Sequence, residues 1–167
     1  MFYIFGAVLL FILDQITKLL TVQNFSLYES VTVIKGVLDF TRHHNTGGPW
    51  SLFDSHIEVF VIITFVIFLL EFLYFKKRPM KHPLEKISVM LINAGAIGNL
   101  FDRIFRGYVV DMIEVTFIEY PVFNFADCCI VIGCILLCVY VAFFDKDEKN
   151  IKISKEEKDD GKDNACM

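Results

Sequence analysis

The chain is uncharged through Leu13, and this apolar stretch continues to about residue 22 with Asp14, Gln15 and Lys18 set into it. Comparable stretches cover about residues 57–75, 84–101 and 126–144. In these, charge sits near the ends: Glu58 and Glu71 in the second, Glu85 and Lys86 in the third, Asp127 in the fourth. Each has about the 17–25 residues that a helix needs to cross the hydrocarbon core. The pattern predicts four transmembrane helices. Between the first two, residues 30–34 and 37–43 are rich in Val, Thr, Ile and Phe, with Lys35 and Gly36 as a break. Content of that kind predicts two short strands, forming a small sheet on the outer membrane surface. The predicted class is an all-α membrane protein with a small extracytoplasmic β-cradle between helices 1 and 2.

Composition agrees with that pattern. Of 167 residues, 55% are hydrophobic and 15% aromatic, and the 18 phenylalanines outnumber the 16 lysines and arginines. Soluble domains run nearer 45–50% apolar, and one core of this size cannot hide the excess from water. A soluble enzyme and a disordered chain are both excluded. The net charge of −4 and the lack of a basic stripe argue against nucleic acid as a partner. Residues 1–145 read as a single membrane-embedded domain, expected to be monomeric. Residues 146–167, dense in Lys, Asp and Glu, read as a disordered cytoplasmic tail.

The first stretch is read as a retained span. No basic residue precedes it, and Asp14 to Lys18 occupy the place of a small-residue cleavage site. Orientation follows the basic residues in short loops. Lys76, Lys77, Arg78, Lys81 and Lys86 lie between the second and third stretches, whereas the longer first loop has only Lys35 and Arg42. Both termini are therefore expected in the cytoplasm, with residues 23–56 and 102–125 outside. Cys128, Cys129, Cys134 and Cys138 all fall in the fourth stretch, where thiols act as small apolar packing residues. Cys166, second from the end, does not fit the prenylation pattern.

Ionisable groups inside spans are costly, and each is a functional candidate. Here they gather toward the outward ends. Asp14 and Lys18 stand four apart on one helix face, acid first, and read as an anchoring ion pair or as the floor of a polar site. Gly47, Gly48 and Pro49 mark a turn, with Asn45 either helping to form it or aiming a donor at a substrate backbone. His43 and His44 lack the spacing and third ligand of a zinc site. Asn99, Asp102 and Arg103 share a helical face beyond the small residues Ala94, Gly95, Ala96 and Gly98. Asp102 and Arg103, being adjacent, are expected to brace different neighbours. Asn124 and Asp127 read as helix caps; alternatively Asp127 and Asp111, which sits in a strand-like run, approach each other as a carboxylate pair. Two carboxylates a few ångströms apart cannot both ionise. One then serves as general base on water and the other as general acid, which is aspartyl-peptidase chemistry needing neither metal nor cofactor.

DQITK (14–18), NTGGPWS (45–51), AGAIGNLFDR (94–103), YVVDMIE (108–114) and FNFAD (123–127) together resemble the lipoprotein signal peptidase (signal peptidase II) family, in the same order and over about residues 10–130. The resemblance implies a bacterial cell-membrane endopeptidase that acts on diacylglyceryl-modified prolipoproteins, cutting on the N-terminal side of the lipidated cysteine. It implies Asp111 and Asp127 as catalytic residues. Asp14, Lys18, Asn45, Gly47, Asn99, Asp102, Arg103 and Asn124 match positions that support or line the site. It further implies contact with membrane lipid, and inhibition by globomycin-type antibiotics that occupy the pair. Gly48-Pro49-Trp50 departs from the family's small residues followed by an aromatic. Proline there removes a backbone donor, which bears on substrate contacts and not on the chemistry.

Other classes predict different patterns. A Ser–Lys peptidase would need Ser51 and Lys35 in reach, and nothing in their spacing supports it. A transporter or channel subunit would spread charge through the bilayer depth. A scaffold protein would tolerate Asp111→Asn.

Overall fold

The computed structural model of the chain describes residues 2–48, 50, 52–53 and 55–145. Pro49, Ser51 and the charged tail at 146–167 lie outside the described residues. In chain order the elements are α1 (Phe2–Asn24), β1 (Ser30–Ile34), β2 (Leu38–Asn45), α2 (Ile57–Lys77), α3 (Pro83–Arg106), β3 (Val109–Val115) and α4 (Phe125–Phe143).

Among the described residues three helices are long and apolar enough to cross a membrane: α1, α2 and α4, with mean hydropathies of 1.7, 2.5 and 2.5. The third expected span, α3, is a 24-residue helix but falls outside that set. Its position explains the difference. α3 is the central helix, packed against α1, α2 and α4. It buries Ser88, Gly95, Gly98, Asn99 and Asp102 against them. A helix wrapped by its neighbours can carry small and polar residues that a lipid-facing helix cannot. α2 is the opposite case. It has no buried residue, and Ile62, Phe65, Leu70 and Phe72 are all more than half exposed. A continuous apolar surface of that size needs a hydrocarbon solvent.

Polar contacts fasten α2 to the bundle. Asn93 Nδ2 donates to Glu71 (2.6 Å). At the C-cap of α2, Arg78 donates to the hydroxyls of Tyr74 (2.6 Å) and Tyr140 (3.1 Å) and pairs with Glu85 and Asp145.

The three strands form one antiparallel sheet in the order β1-β2-β3. The expected cradle between the first two helices is therefore only two-thirds of the sheet, because its third strand comes from between α3 and α4. Gly107 makes this possible: with φ of 76° it caps α3 in the left-handed region and turns the chain into β3. β2 runs two residues beyond the expected end, to Asn45. Its register sets His43 opposite Asp111 and Asn45 opposite Val109, after an irregularity between Phe40 and His43. Arg42 ties this sheet to α1 by donating to the carbonyls of Val22 (3.2 Å) and Phe25 (3.0 Å) at the helix end.

Candidate active site

The base of the site is a buried ion cluster. Lys18 Nζ lies 2.9 Å from Asp14 and 2.9 Å from Asp102, and all three side chains are at most 2% exposed. One helical turn brings Asp14 and Lys18 together, and α3 supplies Asp102 from the facing helix. Arg106 adds a second positive charge on Asp102 (2.5 Å), so two cations balance two carboxylates. The remaining oxygens are occupied as well. Gln15 donates to Asp14 (3.0 Å) and to Asp102 (3.4 Å), and the Ala126 amide donates to Asp14 (3.1 Å) at the start of α4. A buried charge is tolerable only when satisfied in this way. Gly98 leaves the room: a Cβ there would sit 2.5 Å from an Asp14 oxygen.

Lys18 also orients the layer above it. An ammonium can only donate, so its 3.0 Å contact with Asn99 settles which end of that amide is oxygen. Asn99 Oδ1 accepts a second bond from Asn124 (3.1 Å), which turns Asn99 Nδ2 onto Asp127 Oδ1 (2.7 Å). Asn124 and Asp127 form a reciprocal capping box on α4. Asp127 N donates to the Asn124 side chain (3.0 Å), and Asp127 Oδ2 accepts from Asn124 N (3.1 Å). Asn124 Nδ2 then reaches Asp111 Oδ1 (2.6 Å). Asn45 holds the other Asp111 oxygen (2.9 Å) while its own Oδ1 accepts from Gly47 N (3.0 Å). It is thus both a turn former and a donor, and the donor goes to Asp111.

Asp102 and Arg103 do brace different neighbours. Arg103 donates to the Gly47 carbonyl (3.1 Å), lies 4.8 Å over the Phe60 ring and has its charge felt most by Asp127 and Asp111. It clamps the turn after Asn45.

The outcome is two carboxylates, Asp111 and Asp127, held mainly by neutral amide donors. Asp111 is buried (1% exposed) and Asp127 only partly so. Burial, reinforced by the negative charge of Asp127, pushes the Asp111 carboxyl up to about 7, against the bonds from Asn45 and Asn124. A cavity of about 410 Å³ opens beside it, lined by His43, Asn45, Trp50, Asp111 and Tyr120 among others. A carboxyl group on the wall of such a cavity, joined to a second one through Asn124, is placed to exchange protons with a bound water or leaving group.

All ten residues singled out from the sequence meet in this one network. Three participants were not among them. Gln15 stood inside the DQITK block, and its position beside Asp14 was the available signal. Gly98 carried a signal for helix packing alone, and Arg106, four residues after Asp102 on α3, had that spacing as its signal.

Helices of spanning length, with a buried Asp111, a partly buried Asp127 and an open cavity beside Asp111, make up the architecture of a membrane enzyme. Two solved structures, each described as a bacterial membrane enzyme and determined by the in meso method at 2.3 and 1.9 Å resolution, share the fold. The first superposes with a TM-score of 0.75 at 34% identity, covering 89% of this chain and 90% of that one. The second gives 0.74 at 33% identity, covering 86% and 93%. The chain belongs to the signal peptidase II family, whose model, described as signal peptidase (SPase) II, matches residues 6–143. Curated relatives include the lipoprotein signal peptidases of Enterococcus faecalis, 38% identical over 90% of this chain and 93% of that protein. That of Lactiplantibacillus plantarum is 37% identical over 88% and 98%.

Proposed function

We propose that this chain is a membrane aspartyl endopeptidase that removes the signal peptide from diacylglyceryl-modified bacterial prolipoproteins. It cuts on the N-terminal side of the lipidated cysteine. The observation that carries the reading is the shared amide scaffold: Asn124 donates to Asp111 while its capping box holds Asp127, and Asn99 secures Asp127 from Lys18.

At rest the pair holds one proton, carried on Asp111, whose carboxyl is raised to about 7. Asp127 takes a proton from water as the water oxygen attacks the scissile carbonyl. The tetrahedral intermediate collapses when the Asp111 proton passes to the departing amide nitrogen and the C–N bond breaks. The products are a free carboxyl on the signal peptide and a free amine on the lipidated cysteine. The pair again holds one proton, now on Asp127, and exchange resets it. No cofactor or metal takes part. Globomycin-type inhibitors act by occupying the pair, and the enzyme works as a monomer.

Four spans with both ends in the cytoplasm put the pair at the outer surface. The supporting observation is the basic run Lys76, Lys77, Arg78, Lys81 and Lys86 around the α2–α3 connection. On a background lacking the native cysteines, an impermeant thiol reagent applied outside should label Ser30→Cys and miss Lys81→Cys. The reverse would overturn the topology.

A site at the bilayer surface lets the diacylglyceryl group stay in the outer leaflet while the peptide enters. Burial of acyl chains contributes about 0.8 kcal/mol per CH₂, so the lipid also concentrates substrate at the site. A lipidated precursor should be cut much faster than the same precursor without lipid. Equal rates would refute the lipid requirement.

A further inference from the structure

We infer that His43 is a positioning residue for the substrate: its imidazole donates an N–H to a backbone carbonyl of the peptide segment that follows the scissile bond. The inference rests on the peptidase reading above. His43 and His44 are adjacent, but the strand sends them to opposite faces. His44 is held by structure, stacked on Tyr108 at 3.7 Å between centroids and bonded to Arg42 (3.3 Å). His43 is directly opposite Asp111 in the β2–β3 register. It is two residues from Asn45, which bonds Asp111. Directly opposed residues of an antiparallel pair place their side chains on the same face, with Cβ atoms about 4.5–5.5 Å apart.

Among the described residues the His43 ring makes an edge-to-face contact with Tyr28, 5.5 Å between centroids, and its nitrogens have no hydrogen-bond partner. It is half-buried and lines the same cavity as Asp111. An imidazole carries at least one N–H in either protonation state. A donor is thus available on the cavity wall, and neither the proton transfers nor the fold uses it.

The cavity also indicates which part of the substrate meets this donor. Its walls come from the end of β2, the turn around Gly48 and Trp50, β3 and residues 119–122, with none from α1, α2, α3 or α4. The apolar signal segment belongs in hydrocarbon, whereas the mature segment leaves into water. The mature side therefore occupies the cavity, where each residue offers a carbonyl whatever its side chain. Recognition through the backbone suits an enzyme that processes many sequences.

Two substitutions separate this role from packing. His43→Phe keeps a ring against Tyr28 and loses the donor; His43→Gln keeps an N–H donor and loses the ring. Each is measured as purified protein with a lipidated precursor, in parallel with wild type and Asp111→Asn, together with a melting temperature. Loss of a hydrogen bond to a bound peptide should raise KM about tenfold in His43→Phe, with kcat changing less, and His43→Gln should stay within about threefold of wild-type KM. A His43→Phe enzyme with wild-type KM would overturn the inference. So would equal impairment of both variants, which would mark the ring as structural. These outcomes are read with wild type active and Asp111→Asn inactive, so that the peptidase reading stands by itself. An inactive wild type would overturn that reading and the inference with it.

Discussion

Asp111→Asn and Asp127→Asn should each abolish nearly all turnover while leaving a folded, membrane-inserted protein. Asn matches Asp in shape but can neither take a proton from water nor deliver one to an amine. Positioned acid–base groups contribute about 10²–10⁴-fold each, and because the two act as a unit the double variant should be little worse than either single one. The structural cost is small by comparison. Both Asp127 oxygens accept, from Asn99 Nδ2 and from Asn124 N. Both Asp111 oxygens accept, from Asn45 and Asn124. Each Asn would turn one donor toward another donor, at about 1–3 kcal/mol. Activity and melting temperature measured on the same preparations separate the two effects. A variant with substantial turnover would contradict the assignment.

The raised Asp111 carboxyl adds a pH signature. Folding favours its protonated form, so this group's contribution to stability is present in acid and lost as pH rises through about 7. The rate should fall over the same range as the pair loses its shared proton, giving the alkaline limb of a bell-shaped profile that belongs to the pair. The stability slope near pH 7 should be absent in Asp111→Asn.

Lys18→Met should be the most damaging change away from the pair. It leaves Asp14 and Asp102, at most 2% exposed, with Arg106 as the nearest remaining cation among the described residues. Removing one partner of a buried ion cluster costs about 3–5 kcal/mol, because the other charges stay buried. It also removes the donor that orients the Asn99 amide, so Asp127 loses its fixed partner and turnover falls even where the protein folds. Adding Asp14→Asn should restore part of the lost stability, since Asp102 and Arg106 then balance. Thermal unfolding in detergent checks both changes. A Lys18→Met protein as stable as wild type would contradict the ion-cluster account.

Local signals made much of this readable in advance. The Asp14–Lys18 pair follows from spacing on one helix, and β1 was placed at its observed bounds by its Val, Thr and Ile content. The capping box was visible in Asn124 and Asp127, three apart before an apolar run. What was hidden was pairing over distance. Nothing local to residues 109–115 says that they join β2, yet that register puts His43 and Asn45 on the face of Asp111. Likewise Asn99 showed itself as a polar residue on a helix, whereas its place between Lys18 and Asp127 depends on how α1, α3 and α4 pack. The central position of α3 had no sequence signature beyond its small residues, because which helix the others pack around depends on contacts between distant segments.

The most direct test of the central claim is cleavage of one diacylglyceryl-modified prolipoprotein by the purified protein in lipid, with and without a chelator, beside Asp111→Asn. The account predicts a single cut immediately before the lipidated cysteine, unchanged by the chelator and absent in Asp111→Asn. Cleavage that persists in Asp111→Asn, or that the chelator removes from wild type, would contradict it.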